Sequence, residues 1–404
     1  MALTDFKPHF DNSYQEVFQK VLVGKEICNT RFEKQLTFGE SVERVAYNID
    51  GVQVRDVVRG NPSTIDSITD SAETLLVNLE KEAVFHISDG EVKQAGPLNP
   101  GEVIGGKVAI KVAADLDARI FGEVINASQT FDNGDLTTLV SDTTPITLSA
   151  TTVPQMVTRM PAKLRRGANQ TITPTNMALV VDSYAASDIE QYLLGKQFSV
   201  VEAVFKNGYA GLISSAQVYV SENLTGEAVL TDSGTFADGE TFTINGVVFT
   251  MKTALSGSGG PAVAGEIVIG ANLAASMTNI AAALNAPSTT TATFTALSAA
   301  DASIISEVLK VTAKATATDV TIVCKGSGRL VLSETGDSTS WSKNFIHCYY
   351  GKKGAIDLVI QDMKNVDMRP TADRRGTNVF SSYLAGLKTF ADGAKKFLDV
   401  KISA

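Results

Sequence analysis

The sequence predicts an α+β chain interrupted by a smaller α+β module. Three observations predict it. Ile104, Val108, Val112, Leu116 and Ile120 recur every four residues, the stripe of a long helix that buries one face. After Thr175, short apolar runs alternate with a helical segment and turns. Between Thr225 and Ser340 the composition then shifts. Those 116 residues hold 20 Ala, 19 Thr, 10 acids and 5 bases, so 15 charges against 64 in the other 288. A shift with such clean edges reads as an insertion whose two ends lie close together.

At 404 residues the chain has room for about two to three domains. Its 44% apolar residues are enough for a large core and too many for a disordered chain. A net charge of −9 argues against a sequence-reading nucleic-acid binder, which needs cations along the phosphates. Three cysteines, Cys28, Cys324 and Cys348, are too few for a disulfide scaffold and favour a reducing compartment. No apolar core of a signal peptide is visible in the first twenty residues, and no run approaches the ~20 apolar residues of a membrane span. The expectation is a soluble chain made in the cytosol.

In chain order, residues 11–32 predict an N-terminal helix or arm. Val45, Tyr47 and Ile49 alternate with polar neighbours, and Asp50-Gly51 predicts a hairpin turn into GVQVRDVV. So extended a hairpin has little apolar content to fold on itself and is expected to find its partner on another subunit. Asn99-Pro100 supplies a cap and a first-turn proline for the long helix, about 35–40 Å at ~1.5 Å per residue. Leu179–Val181 reads as a buried strand, Ser183–Leu194 as a helix stopped by Gly195, and Val200–Phe205 and Gln217–Val220 as further strands.

Inside 225–340, TFTINGVVFTM predicts a hairpin turning at Asn245-Gly246. Leu273, Met277, Ile280 and Leu284 predict a helix capped by Asn272, and strands follow near Val308–Ala313 and Val320–Cys324. This module is expected to be a surface decoration that contacts little else. Beyond it, Ala355–Ile360 and Leu398–Ile402 read as strands, so the module interrupts an α/β region.

No catalytic constellation stands out. His9, His86 and His347 are far apart, and His347-Cys348 has no companion pair at zinc spacing, so a buried or interface pair is the better account. Gly101-Glu-Val-Ile-Gly-Gly106-Lys107 has the spacing of a phosphate loop, but Val108 replaces the Mg²⁺-binding hydroxyl and the segment lies within a helix. A small-residue packing face explains it. Asp115 and Asp117, two apart on a helix, point about 200° from one another and form no carboxylate pair. The densest basic patch, Arg159, Lys163, Arg165 and Arg166, suits either nucleic acid or acids on a neighbouring subunit, and the acidic balance favours the subunit. With Arg55, Asp56 and Arg59 of the hairpin, these are the candidate inter-subunit contacts. No cofactor or metal is expected.

The order of arm, long hairpin, spine helix and interrupted α/β region resembles the tailed-bacteriophage major capsid protein. Asn29-Thr-Arg31-Phe32-Glu33 with Phe38-Gly39-Glu40-Ser41-Val42 looks like the family's entry into its extended loop, and Pro97–Val124 like its spine helix. Asn176–Val181 is similar to the start of the axial domain. The most specific match is Phe205-Lys-Asn-Gly-Tyr-Ala-Gly-Leu212 followed by Val218–Leu224. Tyr383–Phe390 and Leu398–Ile402 look like the closing strands.

The resemblance implies an N-terminal arm (1–34), an extended loop (35–96), a peripheral domain (97–175 and 376–404), an axial domain (176–224 and 341–375) and an inserted surface domain (225–340). It implies a homo-oligomer of hexamers and pentamers forming an icosahedral shell around double-stranded DNA, assembled in the host cytoplasm and residing in the virion. A portal, a separate scaffolding protein or none, a decoration protein and non-specific contact with packaged DNA follow from the same likeness, with no membrane. The alternatives are an encapsulin-like nanocompartment shell protein and a phage tail or fibre structural protein.

Overall fold

The computed structural model describes residues 13–15, 17, 22–34, 39–48, 52, 54–56, 65–66, 68–88, 100–167, 175–195, 209–213, 216–234, 236–256, 262–336, 339–370 and 375–404. It is an α+β structure, as the patterning predicts. In the first part of the chain lie β1 (Cys28–Asn29), β2 (Ser41–Asn48), β3 (Thr69–Leu76), β4 (Leu79–Ile87) and helix α1 (Pro100–Gly122). Next come β5 (Thr130–Phe131), α2 (Thr152–Gly167), β6 (Met177–Val181), α3 (Ser183–Gly195), β7 (Tyr209–Ile213) and β8 (Ala216–Val220). The Thr/Ala-rich stretch supplies β9 (Thr225–Asp232), β10 (Thr241–Ile244), β11 (Val247–Lys252), β12 (Glu266–Val268), α4 (Leu273–Asn285), β13 (Val311–Ala315), β14 (Asp319–Cys324) and β15 (Leu332–Glu334). The closing strands are β16 (Thr339–Lys352), β17 (Ile356–Pro370), β18 (Thr377–Lys388) and β19 (Phe397–Ser403).

Two compact units divide these elements. The first comprises residues 1–21, 25–112 and 353–395; the second comprises 22–24, 113–352 and 396–404.

In the first unit, a four-stranded sheet runs in the order β1–β17–β18–β4. Tyr383, Ser381 and Val379 of β18 are buried. Tyr14, in a short N-terminal helical stretch, is also buried. Gly106 of α1 faces Ser13 and Val17, where an added Cβ would meet the serine oxygen at 3.4 Å, an ordinary van der Waals contact.

The hairpin differs from its prediction. β2 pairs antiparallel with β3, Ser41 opposite Leu76 and Asn48 opposite Thr69. The return strand is thus 69–76 rather than GVQVRDVV. Of 51–58, the described residues Val52, Val54, Arg55 and Asp56 have no regular structure. Asp50 and Gly51 lie outside the described residues, as do the strand expected over Val200–Phe205 and the Asn99 cap. Alternation marked the outgoing strand correctly, but Asp-Gly is only a local turn signal, and the partner is chosen by packing at the root.

In the second unit, a nine-stranded sheet follows the order β13–β14–β9–β16–β6–β8–β7, with β19 on the other edge of β16 and β5 beside β19. Strand β16 organises it. On one edge its first part pairs with β9 and its last residues with β6; on the other, Phe345–Gly351 pair with β19. Three strands of 225–340 therefore continue the main sheet. The expectation of a decoration that touches little is overturned by this pairing.

Local signals within that stretch read as expected. Asn245 (φ 48°) and Gly246 (φ 83°) make the two-residue turn between β10 and β11, where both positions need positive φ. Asn272 caps α4 by accepting from the Ala275 N–H at 2.9 Å. β13 begins at Val311, later than predicted, because Ile304–Val308 close a π-helical turn first. A second sheet, β12–β11–β10–β15, covers a core containing Phe242, Phe249, Met277, Ile280 and Ile322. Trp341, the chain's one tryptophan, packs its ring edge on Phe242 (6.4 Å) and donates its indole N–H to the Ser333 carbonyl.

Candidate functional site

The root of the β2–β3 hairpin is built from apolar residues that the pleat turns to one side. Leu75 and Val77 are buried with Val359 and Phe390, and Phe32, Val42 and Leu384 pack against them. Polar contacts fix the same root. Arg44 pairs with Asp392 and lies over the Phe390 ring at 5.2 Å. Lys388 donates to the Thr74 carbonyl at 2.8 Å, and the Glu73 carboxylate accepts from the Ala391 N–H at 3.2 Å.

Exposed apolar side chains accompany this root on the hairpin and on β4. Val45, Val52, Val54, Ile65, Ile68, Leu76 and Val84 make up seven of the fourteen large apolar residues exposed among the described ones. Val54 and Ile65 are essentially uncovered, at 103% and 93%. Scattered exposed apolar residues are ordinary, but half of those exposed among the described residues fall within forty positions of the chain. Sequence reasoning singled out the segment but named its charges rather than these side chains. Their signal was present as isolated Val and Ile in a polar stretch.

The predicted charged contacts have separate environments. Arg55 forms a two-armed pair with Asp66, both contacts at 2.8 Å, and Asp56 is exposed. Arg59 lies outside the described residues. The basic cluster occupies α2, whose Val153, Met156, Met160 and Leu164 are buried. Lys163 turns inward onto Asp135, which is fully buried, and Arg159 donates to the Thr137 carbonyl. Arg165 and Arg166 remain exposed in the last turn, where cations suit the helix dipole.

Two buried acid sites anchor backbone or strands. Asp117 on α1 accepts from Gly24 N–H at 2.7 Å and Val23 N–H at 3.1 Å. Gly24 admits no side chain, since a Cβ would lie 2.8 Å from both Asp117 Oδ1 and Ile120 Cδ1. Burial pushes the Asp117 carboxyl up to about 7, against the lowering effect of those two N–H groups. Asp115 points elsewhere, to Arg119 and Lys310, as the helical spacing predicts.

On β16, His347 is 1% exposed between Asp399 of β19 (Nδ1, 2.9 Å) and Glu227 of β9 (Nε2, 3.2 Å). Burial pulls the imidazole down, but the two carboxylates outweigh it and push it up to about 9. Glu227 is correspondingly held low: burial raises it, but the hydrogen bond and charge of His347, with Lys401 and Lys343, outweigh that and lower it. Both ring nitrogens are engaged, so this cluster joins three strands and offers no free base. Cys348, next along β16, is fully buried and unpaired, its thiol pushed up by burial. Among the described residues no group of three metal-ligating side chains could hold an ion, and no helix is long and apolar enough to cross a membrane.

No known family profile matches the chain, and no curated protein does. Solved structures do resemble it. A chain of Mycobacterium phage Che8 is 11% identical with a TM-score of 0.47, covering 92% of this chain and 89% of that one. The capsid of Ralstonia phage GP4 is 6% identical with a TM-score of 0.44, covering 93% and 86%. The capsid of cyanophage P-SCSP1u is 8% identical with a TM-score of 0.43, covering 91% and 84%.

Proposed function

We propose that this chain is the major capsid protein of a tailed bacteriophage, a structural subunit that assembles through hexamers and pentamers into an icosahedral shell around double-stranded DNA. One observation carries the reading. A hairpin pinned at its root by Leu75, Val77 and Phe390 carries six exposed apolar residues over positions 45–76, and neighbouring copies would cover them. A shell uses the same chain many times through head-to-tail contacts that close into rings, so each weak contact is multiplied. The sequence resemblance, from the entry at Asn29–Val42 to the closing strands, supports the same assignment. On this reading Arg165 and Arg166 meet acids of a neighbouring copy, the −9 chain leaves packaged DNA free to slide, and scaffold, portal and decoration proteins act as separate chains.

The test is expression of the chain and negative-stain electron microscopy of the soluble product. Closed shells or capsomer-like rings are the expected outcome. A uniform monomer under all assembly conditions overturns the proposal. Shells filled with a protein cargo identify the nanocompartment instead, and rods identify a tail component. Replacing residues 49–68 with a two-residue Asn-Gly turn keeps the root, so a folded chain that no longer assembles is expected. Undiminished assembly by that variant removes the hairpin from the interface.

A further inference from the structure

The second unit holds an open cavity of about 400 Å³ that the hairpin does not involve. One wall is a stripe of α3, with Tyr184, Ser187, Asp188 and Gln191 at successive helical spacings of three, one and three. Arg329 forms another wall, and Thr147 and Ser403 add hydroxyls. The cavity opens beside the carboxyl end of β6, which runs parallel to β8, the end of such strands where α/β sheets commonly place ligands.

The guanidinium is set in place before anything binds. Its Nε is paired with Asp182, itself 1% exposed, and its plane lies over the Tyr184 ring at 4.8 Å. Asp182 is in turn held by the Ala185 N–H at 3.0 Å. Among the described residues Asp182 is the one hydrogen-bond acceptor of Arg329, so the Nη edge remains for a second carboxylate in fork geometry. Tyr184 is 66% exposed and, among the described residues, is the one aromatic of the large exposed apolar side chains. Tyrosine and arginine are two of the residue types in which interface hot spots are enriched, and here they meet beside a cavity. Asp188 in the same lining disfavours a dianion such as free phosphate and leaves a single carboxylate as the fitting charge.

We infer that this cavity is a docking site for a second copy of the chain, which inserts an aspartate or glutamate side chain onto Arg329 while its backbone covers Tyr184. Charge complementarity selects the occupant: the chain has 44 acids against 35 bases, so copies offer each other carboxylates in excess. The inference rests on the shell reading, since it requires many copies in contact.

A photo-crosslinking residue placed at Tyr184, in a mixture of isotopically light and heavy full-length chains, tests it. The expected product is a light–heavy crosslink whose second peptide contains Asp or Glu. In parallel, Arg329→Lys keeps a cation on Asp182 but loses the fork, and is expected to lower the assembled fraction about tenfold with unchanged tryptophan emission. Shells that form normally with only intrachain crosslinks at position 184, or with R329K assembling as wild type, overturn the docking site and leave the shell reading standing. A wild-type chain that never self-associates overturns both.

Discussion

His347 is decided by two opposing effects. Burial favours the neutral ring, while Asp399 and Glu227 favour the charged one and prevail, pushing it to about 9. A raised histidine stabilises fully below its unfolded value near 6.5, and that contribution is lost as pH rises through 9. The loss is on the order of 3 kcal/mol. Asp117 acts in the same direction at lower pH. Pushed up to about 7, it holds its proton more tightly folded than unfolded, so stability declines as pH climbs from about 4 to 7. Thermal unfolding followed from pH 4 to 9 is expected to show both declines. His347→Gln should flatten the alkaline one alone, and Asp117→Asn the acidic one; an alkaline decline that survives in H347Q contradicts a charged imidazole. The sequence placed His347-Cys348 in a buried setting but not beside Asp399, 52 residues away, because that neighbour depends on strand register.

Elements were legible where the signal is local. The apolar stripe located α1, Asn272 located the start of α4, and Asn245-Gly246 located the turn of β10–β11. Pairing was not. β18 lies in one sheet with β4, roughly three hundred residues earlier, and β2 turned back to 69–76, since partners are chosen by shared buried faces. Edges show a device that no pattern signals. β13 ends the nine-stranded sheet, and Asn285 of α4 meets its open side, donating to the Ala313 carbonyl at 2.8 Å and accepting from its N–H at 2.9 Å. The amide thus imitates a neighbouring strand and closes a template for edge pairing. Asn285→Ala is expected to lower stability by about 1 kcal/mol and to raise non-native self-association, measured by light scattering near the unfolding midpoint. Scattering equal to wild type would show that α4 shields the edge without the amide.

At the scale of the whole chain, composition separated 225–340 from its host, but chemical difference does not mean structural independence. β9 is hydrogen-bonded along the first half of β16, Glu227 holds His347, and Lys310 pairs with Asp115 on α1. Replacing Thr225–Ser340 by a Gly/Ser linker is therefore expected to strip an edge from β16 and abolish soluble expression. A soluble, cooperatively unfolding product would instead establish that the segment is dispensable. Trp341 gives this seam a further use. Because the chain has one tryptophan, its near-ultraviolet emission comes from a single place, the junction of β16 with Phe242 of β10 and the Ser333 carbonyl. The protein thus carries a built-in optical gauge of whether the Thr/Ala-rich stretch is seated, readable in free chains and in particles alike without any label.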